Sequence, residues 1–374
     1  MRIHRVEGKG DLRGFLRVPD RIYGKDPLWV PPLRADQRSQ FDPARNPFLL
    51  HCERRLFLLK EGGRAIGRIA AFEDKIASES WGERVGLFGY FECPDDASAA
   101  TELLNAARDW LRNIGCTAMQ GPWSFVSQEW GLVVEGFEPE PVVMAPYNPP
   151  YYAGLLEGFG LRKEKDLLCW AISVADGYRI PDRIIRLTDR IAKRYGVSVR
   201  RIDLRRYDEE VSHVIRLGNS TLIGNWGYTP VTEAEARAMA RDLKPVVRPE
   251  CVLFAEDSKG KVIGFTITIP DVNVIIKRIR GRMLPFGWAR LLLGIPRLRR
   301  YRMFGLGVAP EYRGKAIDSL LYRAINESLY SPETWMEINY VLEDNWPMVN
   351  AMTKLDAKPS RRYRVYRMEI PLGV

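Results

Sequence analysis

The sequence predicts an α/β (α+β) protein made of two tandem domains, each with a mixed, mostly antiparallel sheet flanked by helices. Three observations lead to this fold class. Segments with strand and helix periodicity alternate along the 374 residues, and the second half weakly repeats the first. The composition, with 46% hydrophobic and 11% aromatic residues, supplies apolar surface for two cores and excludes a largely disordered chain.

The internal repeat rests on three pairs of segments. A hairpin-like stretch, LFLLKEGGRAIGRIAAFED from Leu56, is similar to LFAEDSKGKVIGFTITIPD from Leu253, 197 residues further on. The stretch from Pro150 is similar to that from Pro347 at the same offset. LFGYFECP and MFGLGVAP are also similar, but at an offset of 216 residues, so the second half carries 19 additional residues before this strand.

These offsets predict the domain organisation. We expect a first domain at 1–175, a linker with a helix at 176–196, and a second domain at 197–374 with a basic, apolar insert at about 272–302. In the second domain a strand and two helices precede the hairpin and the insert, and strands and helices then alternate up to a closing strand. These elements are expected at 197–204, 206–222, 232–243, 301–310, 316–329, 334–343, 346–355 and 361–370.

The cysteines and the N-terminus limit the function classes. The five cysteines are scattered without CxxC spacing, so neither a disulfide framework nor a zinc site is indicated, and we expect no metal. The N-terminal stretch lacks the apolar core of a signal peptide, and no run of about 18 apolar residues predicts a membrane span. The three histidines are isolated, and no nucleophile dyad or triad emerges. We therefore expect a reducing, cytoplasmic location.

The most informative stretch is FGLGVAPEYRGKAIDSLLYRAI, which begins at Phe304. An apolar strand leads through a short glycine-bearing loop into an amphipathic helix. A helix N-terminus favours a phosphate, and Arg313 and Lys315 add positive charge beside it. An ordinary strand–helix turn would show the same order of elements.

The order strand, V-x-P-x-Y-R-G-K, helix, strand, N-x-P-M and helix resembles the GNAT acyltransferase superfamily. The resemblance covers the second domain almost completely, and the repeat extends the fold to the first. It implies acyl-CoA or acetyl-CoA as co-substrate, with its pyrophosphate held by the central loop. The cofactor-binding residues that it implies are Leu306, Gly307, Val308, Arg313, Gly314, Lys315, Ala316, Ile317 and Asn345.

Two residues depart from the usual Arg-Gly-x-Gly-x-Gly/Ala loop. Ala316 replaces a glycine, which a negative φ would accommodate. Asp318 replaces a small residue, and its carboxylate would repel a pyrophosphate although it suits a first helical turn. The first domain has the acidic segment 92–98 at this place, so we expect a capped helix start there and no CoA.

Acyl transfer to an amine needs a base for the ammonium proton and often an acid for the thiolate. GNAT enzymes often place a tyrosine seven residues beyond the asparagine, but here Met352 follows Asn345 at that spacing. Tyr363 and Tyr366 on the closing strand are alternative acids, or half-buried strand aromatics.

For the base we expect Glu337 first and Glu343 second. Strand alternation places both on one face of the segment WMEINYVLE, where partial desolvation would raise the carboxyl pKa. A salt-bridged glutamate at a sheet edge is the alternative interpretation.

The stretch GNSTLIGNWGYTPVT (218–232) corresponds to the acceptor side of a GNAT fold. Asn225, Trp226 and Tyr228 are the candidate substrate-binding residues, with plain packing as the alternative. The irregular stretch 121–152 is typical of a functional or tightly packed loop.

The net charge of +10 is concentrated in the insert, because no acidic residue occurs between Asp271 and Glu311. Nine basic residues and many large apolar ones share the window 274–302. A nucleic-acid partner is not favoured, because no known module is present. A solvated loop would not carry so much apolar area. A basic amphipathic element on an anionic membrane, or a cover for an acyl chain, fits the composition best, and the Pro-Phe-Gly-Trp break predicts two short helices.

Taken together, we expect an N-acyltransferase that uses acyl-CoA or an acyl carrier protein and acts on a small-molecule or lipid-like amine. Distantly, the chain resembles bacterial ceramide synthases, which suggests a long acyl chain. Peripheral attachment to the inner face of the membrane would follow from the insert. The alternative is a non-catalytic, degenerate GNAT pair that binds acyl-CoA, a lipid or a protein.

Overall fold

The structure, a computed structural model, describes residues 1–126 and 129–371. The chain divides into two compact units. Unit 1 comprises Met1–Leu167, Ile276–Gly287 and Arg361–Val374, and unit 2 comprises Leu168–Ile275 and Trp288–Ser360. This division differs from the boundaries expected at 1–175 and 197–374, since the closing strand and part of the insert pack in unit 1. A repeat reports the order of elements, whereas packing decides which sheet a strand joins.

Unit 1 is a mixed sheet with helices against it. Its strands follow the order β1-β2-β3-β4-β5-β13-β7, and β6 pairs with β13. Its elements are β1 (Arg2–Arg5), α1 (Lys9–Ile22), α2 (Arg34–Ser39), β2 (Cys52–Glu61), β3 (Arg64–Asp74), α3 (Lys75–Trp81), β4 (Val85–Glu92), α4 (Ala97–Asn113), β5 (Ala118–Gly121), β6 (Leu132–Glu135), α5 (Tyr152–Phe159), the first half of β7 (Arg162–Ser173) and most of β13 (Lys358–Glu369).

The core of unit 1 follows from its periodic apolar positions. Strand alternation and the register of β2 against β3 bring Phe57 opposite Ile69, and both are buried. Leu103, Leu104 and Leu111 of α4 have the i, i+1, i+8 spacing of one helix face and are fully buried in the same cluster. Burial of these side chains is the main source of stability of this unit.

Unit 2 has the sheet order β7-β12-β11-β10-β9-β8, in which β11 and β12 are parallel and the pairs β10–β11, β9–β10 and β8–β9 are antiparallel. Its elements are the second half of β7, α6 (Asp182–Tyr195), β8 (Ser198–Arg201), α7 (Tyr207–Leu222), α8 (Glu233–Leu243), β9 (Val252–Glu256), β10 (Val262–Pro270), α9 (Asn273–Ile279), which ends in unit 1, α10 (Gly287–Gly294), β11 (Arg300–Val308), α11 (Ile317–Ser328), β12 (Trp335–Leu342) and α12 (Trp346–Lys354).

The elements expected from periodicity are confirmed. The linker carries α6, and α8 begins with a complete capping box in which Thr232 and Glu235 bond each other's backbone. The insert forms the two short helices α9 and α10. Within the described residues, no helix has both the length and the apolar character needed to cross a membrane.

Candidate functional site

An opening lies between two parallel strands of unit 2. β11 and β12 pair only from Arg300↔Trp335 to Met303↔Ile338, although β11 continues to Val308 and β12 to Leu342. On its other side β11 remains paired with β10, up to Val308↔Gly264. The edge of β11 that faces β12 is therefore unmatched along 304–308. Backbone groups on such an edge can bond the amides of an extended ligand.

The loop that follows β11 contains two left-handed residues. After a short 3₁₀ turn (Pro310–Tyr312), Gly314 has φ +74° and Ala316, the residue before α11, has φ +56°. Ala316 therefore lacks the negative φ that would accommodate alanine in place of glycine, and its backbone takes the left-handed conformation that glycine adopts most readily. The first amides of a helix have no acceptor within it, so the amides at the start of α11 are donors of the kind that bind anions in proteins.

One ion pair and one hydrogen bond fix the first part of the loop. Lys261 Nζ lies 3.0 Å from Glu311 Oε1, and the Tyr312 hydroxyl donates to Asp257 Oδ2 at 3.0 Å. The amides of Lys259 and Lys261 hold the pKa of Asp257 below its ordinary value, because they stabilise the carboxylate. Both anchors come from the β9–β10 hairpin, which explains how the repeat's hairpin supports the loop.

The two basic side chains of the motif are held differently from each other. Arg313 Nη2 donates to the Thr221 carbonyl oxygen at 2.8 Å, near the C-terminus of α7. Lys315 Nζ lies 4.5 Å from the ring centroid of Tyr312. Arg313 therefore connects the loop to the helix that precedes the candidate acceptor segment, whereas Lys315 lies over an aromatic ring of the loop itself.

Asp318 lies in the first turn of α11 and is partly buried. Burial raises the pKa of its carboxyl, because the charged form loses hydration, and the amide of Ser319 opposes this shift by bonding the carboxylate. The side chain thus uses part of the amide set that an external anion would use. The repulsion expected from the sequence is reduced to the extent that this carboxyl is protonated.

Glu337 belongs to a buried polar network where the strands diverge. Arg302 and Glu337 are opposite each other in the register and are 0% and 1% exposed. Arg302 Nε donates to Asn339 Oδ1 at 3.0 Å, and Asn339 Nδ2 donates to Glu337 Oε1 at 3.1 Å. Glu343, the second candidate, follows the end of β12 and is half-buried. Sequence reasoning missed Arg302, although a charge at an inward position of an apolar strand was a usable signal.

The other predicted cofactor residues have identifiable local roles. Leu306, Gly307 and Val308 form the unmatched end of β11, and Ile317 begins α11. Asn345 accepts a hydrogen bond from the Met348 amide at 3.3 Å and so caps α12. Met352, at the position where the family often has tyrosine, is fully buried in the core.

The predicted acids of the closing strand lie in unit 1. Tyr363 is 0% exposed, pairs with Val133 of β6, and its hydroxyl accepts from Arg361 at 3.4 Å. Tyr366 is also fully buried, and its hydroxyl donates to Glu157 at 3.0 Å. Both positions are those of core residues of that unit.

The candidate acceptor segment forms the loop between α7 and α8. The Tyr228 hydroxyl donates to Asn219 Oδ1 at 3.0 Å, and burial raises its pKa. Trp226 is half-buried and Asn225 is exposed. Since Arg313 bonds the end of α7, this loop and the loop before α11 are joined through one helix terminus. Across residues 1–126 and 129–371, no group of three or more His, Cys, Asp or Glu side chains is placed to hold a metal ion.

Comparison with solved structures identifies the class of fold. A tandem GNAT protein from the clavulanic acid biosynthesis pathway covers 100% of this chain and 99% of its own, with a TM-score of 0.57 at 15% identity. A probable N-acyltransferase from Enterococcus faecalis V583 covers 99% of this chain and 73% of its own, with a TM-score of 0.52 at 11% identity. The chain has the tandem GNAT fold of acyltransferases, which confirms the predicted fold class and resemblance.

Comparison with curated proteins identifies the family. The bacterial ceramide synthase of Caulobacter vibrioides is 34% identical over 373 residues, 96% of this chain and 95% of that protein. The protein YghO of Escherichia coli K12 is 33% identical over 370 residues, 97% of this chain and 94% of that protein. The chain therefore belongs to the family of these two proteins. No protein-family model matches it.

Proposed function

We propose that unit 2 transfers an acyl group from a thioester, of CoA or of an acyl carrier protein, to the amine of a long-chain, lipid-like acceptor. The observation that carries this proposal is the opening between β11 and β12, which ends at the amides of the loop before α11. The similarity to a bacterial ceramide synthase supports the acceptor class, since a ceramide is the amide of a fatty acid and a long-chain amino alcohol.

The thioester donor fits this geometry as an extended ligand. Its pyrophosphate would accept from the amides at Gly314, Ala316 and Ile317, with Lys315 nearby as a counter-charge. Its pantetheine amides would pair with the unmatched edge of β11 along 304–308. This arrangement delivers the thioester carbonyl towards the point where the strands diverge, at Met303 and Ile338.

The ammonium group of the acceptor first loses one proton, and the free amine then attacks the thioester carbonyl. A C–N bond forms, the C–S bond breaks, and the nitrogen loses a second proton, which the departing thiolate or water takes up. Glu337 is the proton acceptor in this proposal, acting through water because its carboxylate is buried beside Arg302 and Asn339. A thiol with a pKa of about 8.5 can leave as thiolate near neutral pH, so the absence of a tyrosine at Met352 is tolerable.

The test of the function is thiol release from acyl-CoA esters of short to long chain, and from an acyl carrier protein ester, with a long-chain amino alcohol or a short amine. We expect amide formation, identified by mass spectrometry, to be fastest with the long-chain acceptor. The proposal is contradicted if no thioester is consumed with any amine and no acyl-CoA raises the melting temperature. Stabilisation by CoA without turnover would instead favour the alternative of a non-catalytic GNAT pair. The Asp318 carboxylate, which bonds the Ser319 amide at the start of α11, is one feature that fits this alternative.

The assignment of the base is tested by Glu337→Gln against Glu343→Gln. We expect Glu337→Gln to lower kcat by about 10²–10⁴ with little change in KM, and Glu343→Gln to have only a small effect. Glu337→Gln leaves the buried charge of Arg302 in the same network, and an uncompensated buried charge can cost about 3–5 kcal/mol of stability. The double variant Arg302→Gln/Glu337→Gln removes both charges and serves as the folding control. An equal loss in Glu343→Gln, or none in Glu337→Gln, contradicts the assignment.

A further inference from the structure

A run of ten consecutive residues, 284–293, exposes five large apolar side chains. Leu284, Phe286, Trp288, Leu292 and Leu293 are 80%, 71%, 52%, 64% and 65% exposed. Among the residues that the structure describes, twelve large apolar side chains are exposed, and five of them fall in this short run. Scattered exposed apolar residues need no explanation, but a concentration of this kind indicates an interaction surface.

The segment that exposes these apolar side chains has a defined conformation. Ile276 and Ile279 of α9 are buried, so the segment leading into the run is anchored. Gly281 has φ +67°, and a Cβ there would lie 2.4 Å from the Pro32 carbonyl oxygen, so the chain approaches its neighbour as only glycine permits. A Cβ on Gly287 would lie 2.0 Å from the Arg282 carbonyl oxygen, so residues 282–287 form a tight turn. The protruding tip of this turn carries Leu284 and Phe286.

Positive charge surrounds the apolar run. Arg278, Arg280, Arg282, Arg290 and Arg297 are exposed, and no acidic residue occurs between Asp271 and Glu311. In α10, Trp288 and Leu292 are four residues apart and so share one helix face. Exposed aromatic and aliphatic side chains among arginines are the composition of an element that lies in the interface of an anionic bilayer.

We propose that residues 282–297 dock this protein on an anionic phospholipid surface, with Leu284, Phe286, Trp288 and Leu292 entering the boundary between headgroups and acyl chains and the arginines contacting lipid phosphates. α10 has eight residues, so it lies on the membrane and does not span it. A second copy of the chain is a poor occupant, because two such basic surfaces repel each other. The docking itself does not depend on the proposed function. Its functional consequence does: docking would bring the acyl-transfer site to a lipid-like amine.

The test is flotation of the full chain with phosphatidylglycerol-containing vesicles and with pure phosphatidylcholine vesicles. We expect strong, salt-sensitive binding to the anionic vesicles. Leu284→Ser/Phe286→Ser removes two buried side chains from the docked state and is expected to weaken binding by at least about tenfold. Leu50→Ser/Tyr330→Ser, at 74% and 55% exposed positions elsewhere, is the matched control and should bind as the wild type does.

The charge contribution has its own matched pair. Arg282→Glu/Arg290→Glu is expected to weaken binding by at least about tenfold, since each basic residue near the surface contributes about fivefold. Arg13→Glu/Arg17→Glu changes the net charge equally at two exposed positions of α1 and should bind normally. Equal binding of all four variants, or no binding to either vesicle, overturns the proposal.

A fluorescent label gives a second readout. The five native cysteines are buried, so Leu284→Cys can be labelled selectively with an environment-sensitive dye. We expect a blue shift on anionic vesicles, and none for the label at Leu50→Cys. Self-association that Leu284→Ser/Phe286→Ser abolishes, without vesicle binding, would assign the surface to a second copy. Acyl transfer to a short, soluble amine is measured in parallel: turnover without flotation rejects docking alone, and flotation without turnover rejects the proposed function alone.

Discussion

In each unit the strands pair in chain order up to one parallel pair, β4–β5 in unit 1 and β11–β12 in unit 2. The units differ in what occupies the space beyond this parallel pair. In unit 1, β4 and β5 pair only from Val85↔Ala118 to Leu87↔Gln120, much as β11 and β12 pair briefly in unit 2. In unit 1 the chain after β5 returns to this place: the Trp123 amide donates to the Phe88 carbonyl oxygen at 2.7 Å, and the Phe125 amide donates to the Tyr90 hydroxyl at 3.1 Å. Unit 1 therefore fills the opening with its own backbone.

The helix starts differ in the same sense. Asp96 caps α4 by accepting from the amides of Ser98 and Ala99, as the acidic segment 92–98 predicted. Ala316, before α11, has no side chain that could cap, and left-handed residues shape its loop. The comparison shows that the two copies of a duplicated fold can keep the same arrangement of strands and helices and differ in which backbone amide and carbonyl groups form hydrogen bonds within the chain. Unit 1 satisfies these groups with its own chain, and unit 2 leaves the donors to which the proposed function assigns the thioester donor.

The largest effect is expected from adding one methyl group to unit 1. Gly89 and Gly305 correspond in the repeat, but a Cβ on Gly89 would lie 1.5 Å from the Trp123 carbonyl oxygen, whereas one on Gly305 meets only side-chain atoms at 3.5 Å and beyond. We expect Gly89→Ala to lower the free energy of unfolding by about 3 kcal/mol or more, and Gly305→Ala to change it by less than about 1 kcal/mol. Denaturant unfolding measures both, and equal effects would break the comparison.

The second effect concerns ligand binding at the loop of unit 2. Gly314→Glu places a strained, anionic side chain at φ +74°, and we expect it to abolish the stabilisation by CoA, which is about 2.7 kcal/mol at a hundredfold excess over Kd. Gly63→Glu, at φ +79° in the hairpin turn of unit 1, carries the same charge and a similar strain. Thermal shift assays with CoA should separate the two variants. If Gly63→Glu also lost the CoA-induced rise in melting temperature, backbone strain and not the position of the substitution would explain the loss.

A smaller effect is expected from Asp318→Asn. Since the folded-state pKa of Asp318 lies above its unfolded value, the free energy of unfolding falls as the pH rises between these two values, and the loss persists at neutral pH. We expect the Asn variant to be more stable near neutral pH and to bind CoA about fivefold more tightly, because it lacks the repelling charge. Calorimetry across the pH range checks both, and the affinity advantage should vanish at acidic pH. An unchanged pH dependence of CoA binding would contradict this.

The smallest effect is expected from Ala316→Gly. At φ +56° alanine is strained by about 1–2 kcal/mol, and the greater entropy of glycine in the unfolded chain offsets about half of that. We expect a gain of roughly 0.5–1 kcal/mol in unfolding free energy, measured in urea, with CoA binding retained. Ala309→Gly, at φ −49°, should lose stability in the same assay. A loss in Ala316→Gly would show that the left-handed conformation carries no strain.

Much of the fold and part of the site were predictable, for local reasons. The capping box at Thr232, the break between α9 and α10 and the glycine loop before α11 each depend on residues close together in the chain. The inward charge of Arg302 was visible in the sequence, but its partner Asn339 was not predictable, since that residue comes from another strand. Tyr363 was proposed as an acid only because it lies on the closing strand, and that part of the strand lies in unit 1.

By itself, the sequence determined the order of the elements, the duplicated GNAT-type fold and the position of the glycine-bearing loop before α11, because periodicity, glycines and caps act over a few residues. Only the tertiary structure decided which unit β13 joins, that Trp123 fills one opening, and that Glu337 is buried against Arg302. It also decided that Leu284 and Phe286 protrude. These features depend on packing between segments far apart in the chain. The energy of each contact depends on neighbouring residues that a local sequence pattern does not identify.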